Sequence, residues 1–332
     1  MDRPITEPPP KGRAAQFAEG SGQRVLLTVD TEEEFDWNGP FTREDHGLTH
    51  VAAIPRFQSF CEDLGVVPVY LVDWPIANDA LAVEIIGDAV RRGRAEVGIQ
   101  LHPWVNPPFD EEVGVRNSFA GNLPPALERE KMLRLRDRIA EAFEGDPLIY
   151  RAGRYGLGPH TADLLKEAGV PIDSSVRTNH DYSAGHGPDD SRHPLLPYWV
   201  DGERSLLELP LTTVHIGLLR KQGPGLQRLL AQQPRALGAL ARLGLLERIA
   251  LTPEGVTADE ALRGIDIALD DGLPLLVLSF HSPSLAVGHT PYVRSEADLE
   301  RLYDWLDRIY AYLEIRGVAP TTVAGIIDSV RR

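Results

Sequence analysis

The stretch LLVLSFHSP, residues 275–283, decides the fold of this chain. Leu275–Phe280 is its most apolar run, and it stops at a histidine, His281. A short apolar run without alternation reads as a strand buried on both faces, the pattern of a parallel sheet covered by helices. Shorter runs of the same kind recur upstream. Val25–Val29 ends at Asp30, Val66–Val72 follows, Ala95–Leu101 ends at His102, and Leu148–Tyr150 ends at Arg151. Val170–Asp173 and Leu206–Leu211 continue the series.

Between these runs the apolar spacing becomes helical. Phe57, Phe60 and Leu64 share one face, and Met132, Leu135, Ile139 and Phe143 share another. Thr257 with Glu260 forms a capping box ahead of Leu262, Ile265 and Leu269. Ser295 with Asp298 opens a last long helix whose face is Leu299, Leu302, Leu306, Ile309 and Leu313. Repeated strand–helix alternation predicts parallel strands joined by crossover helices. Seven or eight such units predict an α/β fold of the distorted (β/α)7–8 barrel type rather than a doubly wound open sheet.

Composition narrows the function classes. A formal net charge of −15 over 332 residues, with no basic stripe, excludes binding to a nucleic-acid backbone. One cysteine, Cys61, rules out a disulfide framework and a cysteine-built zinc site, and its apolar surroundings predict a buried thiol. The N-terminal stretch lacks an apolar signal core, and no run approaches the ~18 apolar residues of a membrane span. A cytoplasmic protein is expected, with a disordered tail over residues 1–22 and a single domain over 23–332.

Two segments interrupt the alternation. Arg177–Pro194 is polar and rich in turn residues, which predicts a long loop placed as a lid. Residues 217–251 mix leucines such as Leu226, Leu237 and Leu245 with Arg228, Arg235 and Arg242. This reads as a helical insertion, either a packed surface pair or a membrane-surface contact covering a lipid-linked substrate.

The polar residues that stop the apolar runs carry the chemistry. In parallel α/β barrels catalytic groups collect at the C-terminal strand ends. Asp30 there is a general base or a metal ligand, and Glu32 points to the same side in an extended chain. Glu33 and Glu34 read as a solvated loop. His102 heads HPWVNPPF, where Pro103, Pro107 and Pro108 forbid a regular helix and stiffen the loop around an imidazole able to bind metal or catalyse. Trp104 stacks on a sugar or packs. His281 donates a proton to a leaving group or stabilises developing negative charge. Arg151 and Asp173 end neighbouring strands, so an ion pair between them would orient Asp30 or brace the site. Arg154, Tyr155 and Asn106 are candidate substrate contacts.

These motifs, in this order, resemble the polysaccharide deacetylase family, also called the NodB-homology or carbohydrate esterase 4 group, over about residues 24–325. Thr28-Val-Asp30-Thr-Glu32 resembles its first motif, Tyr150-Arg151-Ala-Gly-Arg-Tyr-Gly156 its third, Ile172-Asp173-Ser-Ser its fourth and Leu278-Ser-Phe-His281 its fifth. HPWVNPPF, YRAGRYG and SFHSPSL look like a bacterial WalW-like subgroup. The resemblance implies hydrolysis of an N-acyl group, usually acetyl, on a sugar, polysaccharide or lipid-linked sugar. It makes Asp30 the base and His281 the catalytic histidine, and it implies a divalent metal, zinc or another transition metal. The second motif departs from the family's paired histidines. Aligned on Glu96–Gln100, the two places fall to Gln100 and Trp104; aligned on His102, the second falls to Asn106. Thr31 stands where the family's second acid would, and Glu32 follows it. Glu32 and His102 remain as ligands, with Asp30, Gln100 or Asn106 assisting, and amide ligands hold such metals more weakly. Two other functions fit the same residues: a catalytically weak carbohydrate-binding barrel, and a metal-free amidohydrolase of a small metabolite.

Overall fold

The computed structural model describes residues 3–230 and 233–330. Among the described residues there are eleven strands, most of them separated by helices: β1 (Arg24–Thr31), β2 (Val69–Val72), β3 (Glu96–Leu101), β4 (Ile149–Ala152), β5 (Ile172–Asp173), β6 (Tyr198–Trp199), β7 (Leu207–Glu208), β8 (Thr213–Ile216), β9 (Glu247–Ala250), β10 (Leu275–His281) and β11 (Ala319–Pro320). The main sheet runs β10-β1-β2-β3-β4-β5-β7, all parallel, with β6 antiparallel beyond β7 and β11 beside β1. This is the mixed α/β architecture that the alternation predicts, curled into a distorted barrel.

The barrel closes without a regular ladder. β7 and β10 are bridged by single residues. Thr212 N–H donates to Val277 O at 3.3 Å, and Thr212 Oγ1 accepts from Val277 N–H at 2.8 Å. Leu251, just beyond β9, accepts from Ser279 N–H at 3.3 Å and donates to Thr212 O at 3.0 Å. The β8–β9 hairpin therefore wedges into the seam.

Helices cover the outer face. Helix α1 (Ile54–Asp63), α4 (Pro125–Phe143), α8 (Ala258–Asp270) and α9 (Glu296–Ile315) bury the faces marked by apolar spacing, and α3 (Ala80–Arg91) and α5 (Thr161–Glu167) join the same layer. Both sequence signals for helix starts are realised: Thr257 and Glu260 form a reciprocal capping box, and Ser295 accepts from Asp298 N–H. Cys61 lies buried in this layer.

A smaller core fills the barrel interior, with Leu26, Leu71, Ile149, Ile172, Leu207 and Val277. Its lower end is stopped by Val323 and Ile326 of α10 (Val323–Ser329) and by Phe17. The described residues of the segment expected to be a disordered tail also pack against this end of the barrel. Ile5 is buried, Ala15 N–H bonds Pro197 O at 2.8 Å, and Ala18 N–H bonds Ser329 O at 2.8 Å. The tail is polar in composition, but the barrel end gives its few apolar residues a surface to cover.

The region 217–251 is only partly the helical insertion expected. It holds α6 (Gly223–Leu229) and α7 (Pro234–Arg242), then becomes β9, paired antiparallel with β8. Residues 231–232 lie outside the described ones. Leu218, Leu229 and Leu243 stand 83, 76 and 70% exposed, whereas Leu226, Leu237 and Leu245 are half-buried. Among the described residues, no helix is long and apolar enough to cross a membrane.

Candidate active site

Parallel pairing places Asp30 directly beside His281, because the two are register partners on β1 and β10. Their side chains face the same end of the barrel. His281 Nε2 lies 3.8 Å from Asp30 Oδ2. The other oxygen, Oδ1, is held by Arg151 Nη1. Arg151 is fully buried and spends all five of its N–H groups: Nε on Ser174 O (2.8 Å), Nη1 on Asp30 and Ser279 Oγ (2.7 Å), Nη2 on Thr28 Oγ1 (3.0 Å) and Ser174 Oγ (3.1 Å). It fixes Asp30 and has no donor left for a substrate.

Behind His281 stands Glu254, which the motif pattern does not reveal. Its Oε2 lies 2.7 Å from His281 Nδ1, and its Oε1 accepts from His281 N–H at 3.2 Å and Ser284 Oγ–H at 2.6 Å. Burial alone would lower the imidazole pKa. The charges of Glu254, Glu32 and Asp30 outweigh it and push His281 up to about 10. At neutral pH the ring is an imidazolium, sited as a proton donor beside a pinned carboxylate.

Asp173 does not join this group. Ile172 packs inside the barrel, so strand alternation turns Asp173 to the opposite face. There it meets its register partner Glu208 and bonds Ser175 Oγ at 2.6 Å. The expected Arg151–Asp173 pair is replaced by Arg151–Asp30, and Asp173 has no place among the cavity-lining residues.

A second cluster adjoins Asp30. Gln100 Nε2 lies 2.9 Å from Glu32 Oε2 and 3.3 Å from His102 Nε2, and His102 Nε2 lies 3.4 Å from Glu32 Oε2. Glu32 Oε1 and Gln100 Oε1 are buried without a hydrogen-bond partner. Ligand atoms about 2.0–2.1 Å from a tetrahedral zinc lie roughly 3.3–3.4 Å apart, which is close to the edges of this triangle. Turning the Gln100 amide by 180° would put its oxygen at that corner, an exchange that leaves the side-chain shape unchanged. A carboxylate, an imidazole and an amide therefore fit a divalent metal. Burial raises the Glu32 carboxyl to about 8, the charges of His281 and His102 pull it down, and Glu33 and Asp30 push it up. An added cation would favour its ionised form.

Glu33 is not solvated, as its position in an acidic run suggested. It is buried, takes His102 Nδ1 at 2.8 Å on Oε2 and Trp104 Nε1–H at 2.7 Å on Oε1. Its N–H bonds Asp73 Oδ2 at 2.8 Å, and Asp73 Oδ1 caps the short helix α2 (Trp74–Asn78) through Ile76 N–H. The ligand atoms of Glu33, Asp73 and His102 lie within 4.8 Å of one another. Each of these carboxylate oxygens already accepts a hydrogen bond, so this set orients His102 with Nε2 toward the Glu32–Gln100 triangle. Burial raises both carboxyls, that of Asp73 most. Gly153 completes the support: a Cβ there would stand 2.5 Å from His102 Cδ2. Glu34 is likewise engaged, with its Oε1 2.9 Å from His50 Nδ1.

The two clusters face one cavity of about 350 Å³. Asp30, Glu32, Gln100, His102, Glu254 and His281 line one side. Phe35, Trp37 and Phe41, from the loop after β1, form the cover, with Trp37 set edge-on against His281 at 4.9 Å. Trp104 lines the cavity, but its ring is already stacked on His102 at 4.3 Å. Arg154 and Tyr155 also line it, on successive left-handed backbone positions (φ 56° and 62°), a strained arrangement for side chains of this size. Asn106 lies elsewhere: fully buried, it donates to Lys131 O and Pro107 O and braces the proline-rich loop. The segment Arg177–Pro194 contributes Arg177 and Tyr182 to the wall. Glu254, Arg177 and the three aromatics of the cover carry no motif, since their partners are remote in sequence.

The fold and the two clusters define a curled parallel-sheet barrel with a buried acid–base pair beside a ligand triangle. No family model matches the chain, and no curated protein matches it. Among solved structures, the chain is similar to one from Mycobacterium smegmatis described provisionally as a polysaccharide deacetylase (20% identity, TM-score 0.49, covering 96% of this chain and 98% of that one). It is also similar to the Bc1960 peptidoglycan N-acetylglucosamine deacetylase (13%, TM-score 0.47, 96% and 92%) and to a family 4 acetyl xylan esterase from Clostridium thermocellum (14%, TM-score 0.45, 92% and 91%). None of the three bears on the WalW-like subgroup.

Proposed function

We propose that this protein is a hydrolase that removes an N-acyl group, acetyl in the simplest case, from a sugar or polysaccharide with the help of a divalent metal. One observation carries the proposal: the row Arg151–Asp30–His281–Glu254 lies beside the Glu32–Gln100–His102 triangle on one wall of a cavity. Glu32, His102 and Gln100 would hold the metal, which when bound polarises the acyl carbonyl and acidifies water. Arg151 occupies one oxygen of Asp30 and leaves Oδ2 turned to His281 and the cavity, so Asp30 can take the proton of an attacking water. His281, charged and held by Glu254, gives a proton to the departing amine. Trp37 and Phe35 exclude bulk water, which strengthens each of these interactions.

The test is acetate release from N-acetyl sugars by purified protein supplied with zinc, cobalt or manganese. Turnover that is lost in Asp30→Asn supports the proposal. No release from any such sugar, or equal release by the parent and Asp30→Asn, overturns it. Turnover indifferent to a chelator would instead favour a metal-free amidohydrolase. Tight sugar binding without metal or turnover would favour a carbohydrate-binding barrel.

A further inference from the structure

We infer that the substrate carries an anionic group, a carboxylate or a phosphate, which Arg154 and Arg177 bind in the cavity that holds the acid–base pair. The inference rests on reading the cavity as a sugar-deacylating site and specifies which sugars it takes.

The cavity lining carries both signs of charge. It holds three carboxylates, Asp30, Glu32 and Glu254, and two guanidinium groups, Arg154 and Arg177. The contrast with Arg151 is instructive, since that guanidinium spends every donor on protein. Arg154 bonds Ser118 Oγ and, at 3.4 Å, Val115 O through Nη1 alone. Arg177 uses Nη1 on the Tyr182 hydroxyl at 3.0 Å. Neither has a carboxylate partner among the described residues, neither has an enclosed N–H left unsatisfied, and both line the cavity. A guanidinium is a planar fork matched to carboxylate and phosphate oxygens.

Both cations are held in place before any ligand arrives. The Arg154 guanidinium lies 4.1 Å from the Phe119 ring centre and 5.0 Å from that of Phe41. Arg177 lies 5.1 Å from the ring centre of Tyr155, which itself stacks on Tyr182 at 5.8 Å. Aromatic faces stabilise a cation without neutralising it. The consecutive left-handed positions of Arg154 and Tyr155 keep both side chains in the cavity lining. Two oriented, unneutralised cations in a semi-enclosed aromatic site disfavour a neutral ligand, which must strip their water and returns no charge. An anion returns it.

The test compares three probes of one sugar scaffold: neutral N-acetylglucosamine, N-acetylmuramic acid with its carboxylate, and N-acetylglucosamine 6-phosphate. Binding is read by quenching of tryptophan fluorescence, since Trp37 and Trp104 line the cavity, and acetate release is read alongside it. The parent should bind at least one anionic probe about tenfold or more tightly than the neutral one, and added salt should erode that preference. Arg177→Gln and Arg154→Gln should each remove most of the preference and raise KM for the anionic probe more than for the neutral one. Arg177→Lys should keep part of it, and thermal melts verify folding. Whichever of the two anions is preferred identifies the source of charge. Equal binding of neutral and anionic probes, no binding of either anion, or equal loss for all probes in the Gln variants overturns the inference. Charge preference without acetate release would sink the deacylation proposal and leave this one standing; acetate release without charge preference would do the reverse.

Discussion

Replacing Glu254 with glutamine removes the charge that keeps His281 protonated. The free imidazole value of 6.5 rises to about 10 in the folded protein: burial opposes the rise, and Glu254, with Glu32 and Asp30, supplies it. The net gain of about 3.5 pH units corresponds to roughly 5 kcal/mol in favour of the imidazolium. Glu254 is the nearest of the three, with Oε2 2.7 Å from Nδ1, and only a fifth of the His281 side chain is open to solvent, which limits screening. An opposite charge at such range contributes about 1 to 3 units. The amide of Glu254→Gln keeps the shape and can still accept from Ser284 Oγ–H, while the atom facing His281 Nδ1 loses both its charge and its acceptor. The sign follows from the acid role. The charged ring is present below its pKa, so activity is lost as pH rises through that value. In the parent, kcat/KM should hold through neutral pH and fall on the alkaline side as His281 loses its proton. In Glu254→Gln the fall should begin about 1 to 3 units lower. The assay is a pH profile of acetate release, paired with NMR titration of the His281 ring in chelator-treated protein, assigned with His281→Gln. If the ring of a folded Glu254→Gln protein still titrates near 10, Glu254 is not its source of charge, and the pairing drawn from the structure is wrong.

Three further outcomes follow from the same geometry. Arg151→Met leaves the Asp30 carboxylate buried without its cation and should destabilise the protein by about 3–5 kcal/mol in urea unfolding, with Asp30→Asn in the same chain restoring part of it. Glu33→Gln removes the acceptor that orients His102 and should weaken cobalt binding by about 10- to 100-fold in calorimetric titration, with little change in melting temperature. Glu208 is buried against Asp173, and burial first and the Asp173 charge second raise its carboxyl well above 4.5. A raised folded value means that its stabilising contribution is complete below the unfolded value and is lost as pH climbs through the folded one. Glu208→Gln should therefore add about 1–3 kcal/mol at pH 8 and nothing near pH 4, read from melting curves across pH.

Local signals in the chain carry far where a residue's role depends on its own strand or helix. The run Leu275–Phe280 is a strand because nothing else buries five apolar side chains in so few residues, and the capping box at Thr257 and the N-cap at Ser295 fix where two helices begin. Asp30, Arg151 and His281 are legible for the same reason, since each ends an apolar run. Short strands are harder: β5, β6 and β7 have two residues each, and β9 lies inside a stretch whose leucine spacing suggested helix.

The strand-end pattern by itself determined that this chain is a parallel α/β barrel with its chemistry gathered at one rim. It could not say which side of a strand each polar residue takes or what lies opposite. Asp173 ends a strand as Arg151 does, yet one residue of register turns it away from the cavity. Glu33 sits in an acidic run that looks solvated, yet the fold brings His102 and Trp104 onto it across about 70 residues of chain. Glu254 reaches His281 from the seam beside β9, and Arg177 reaches the cavity from a loop. These pairings depend on distances between remote segments, which only closure of the barrel sets.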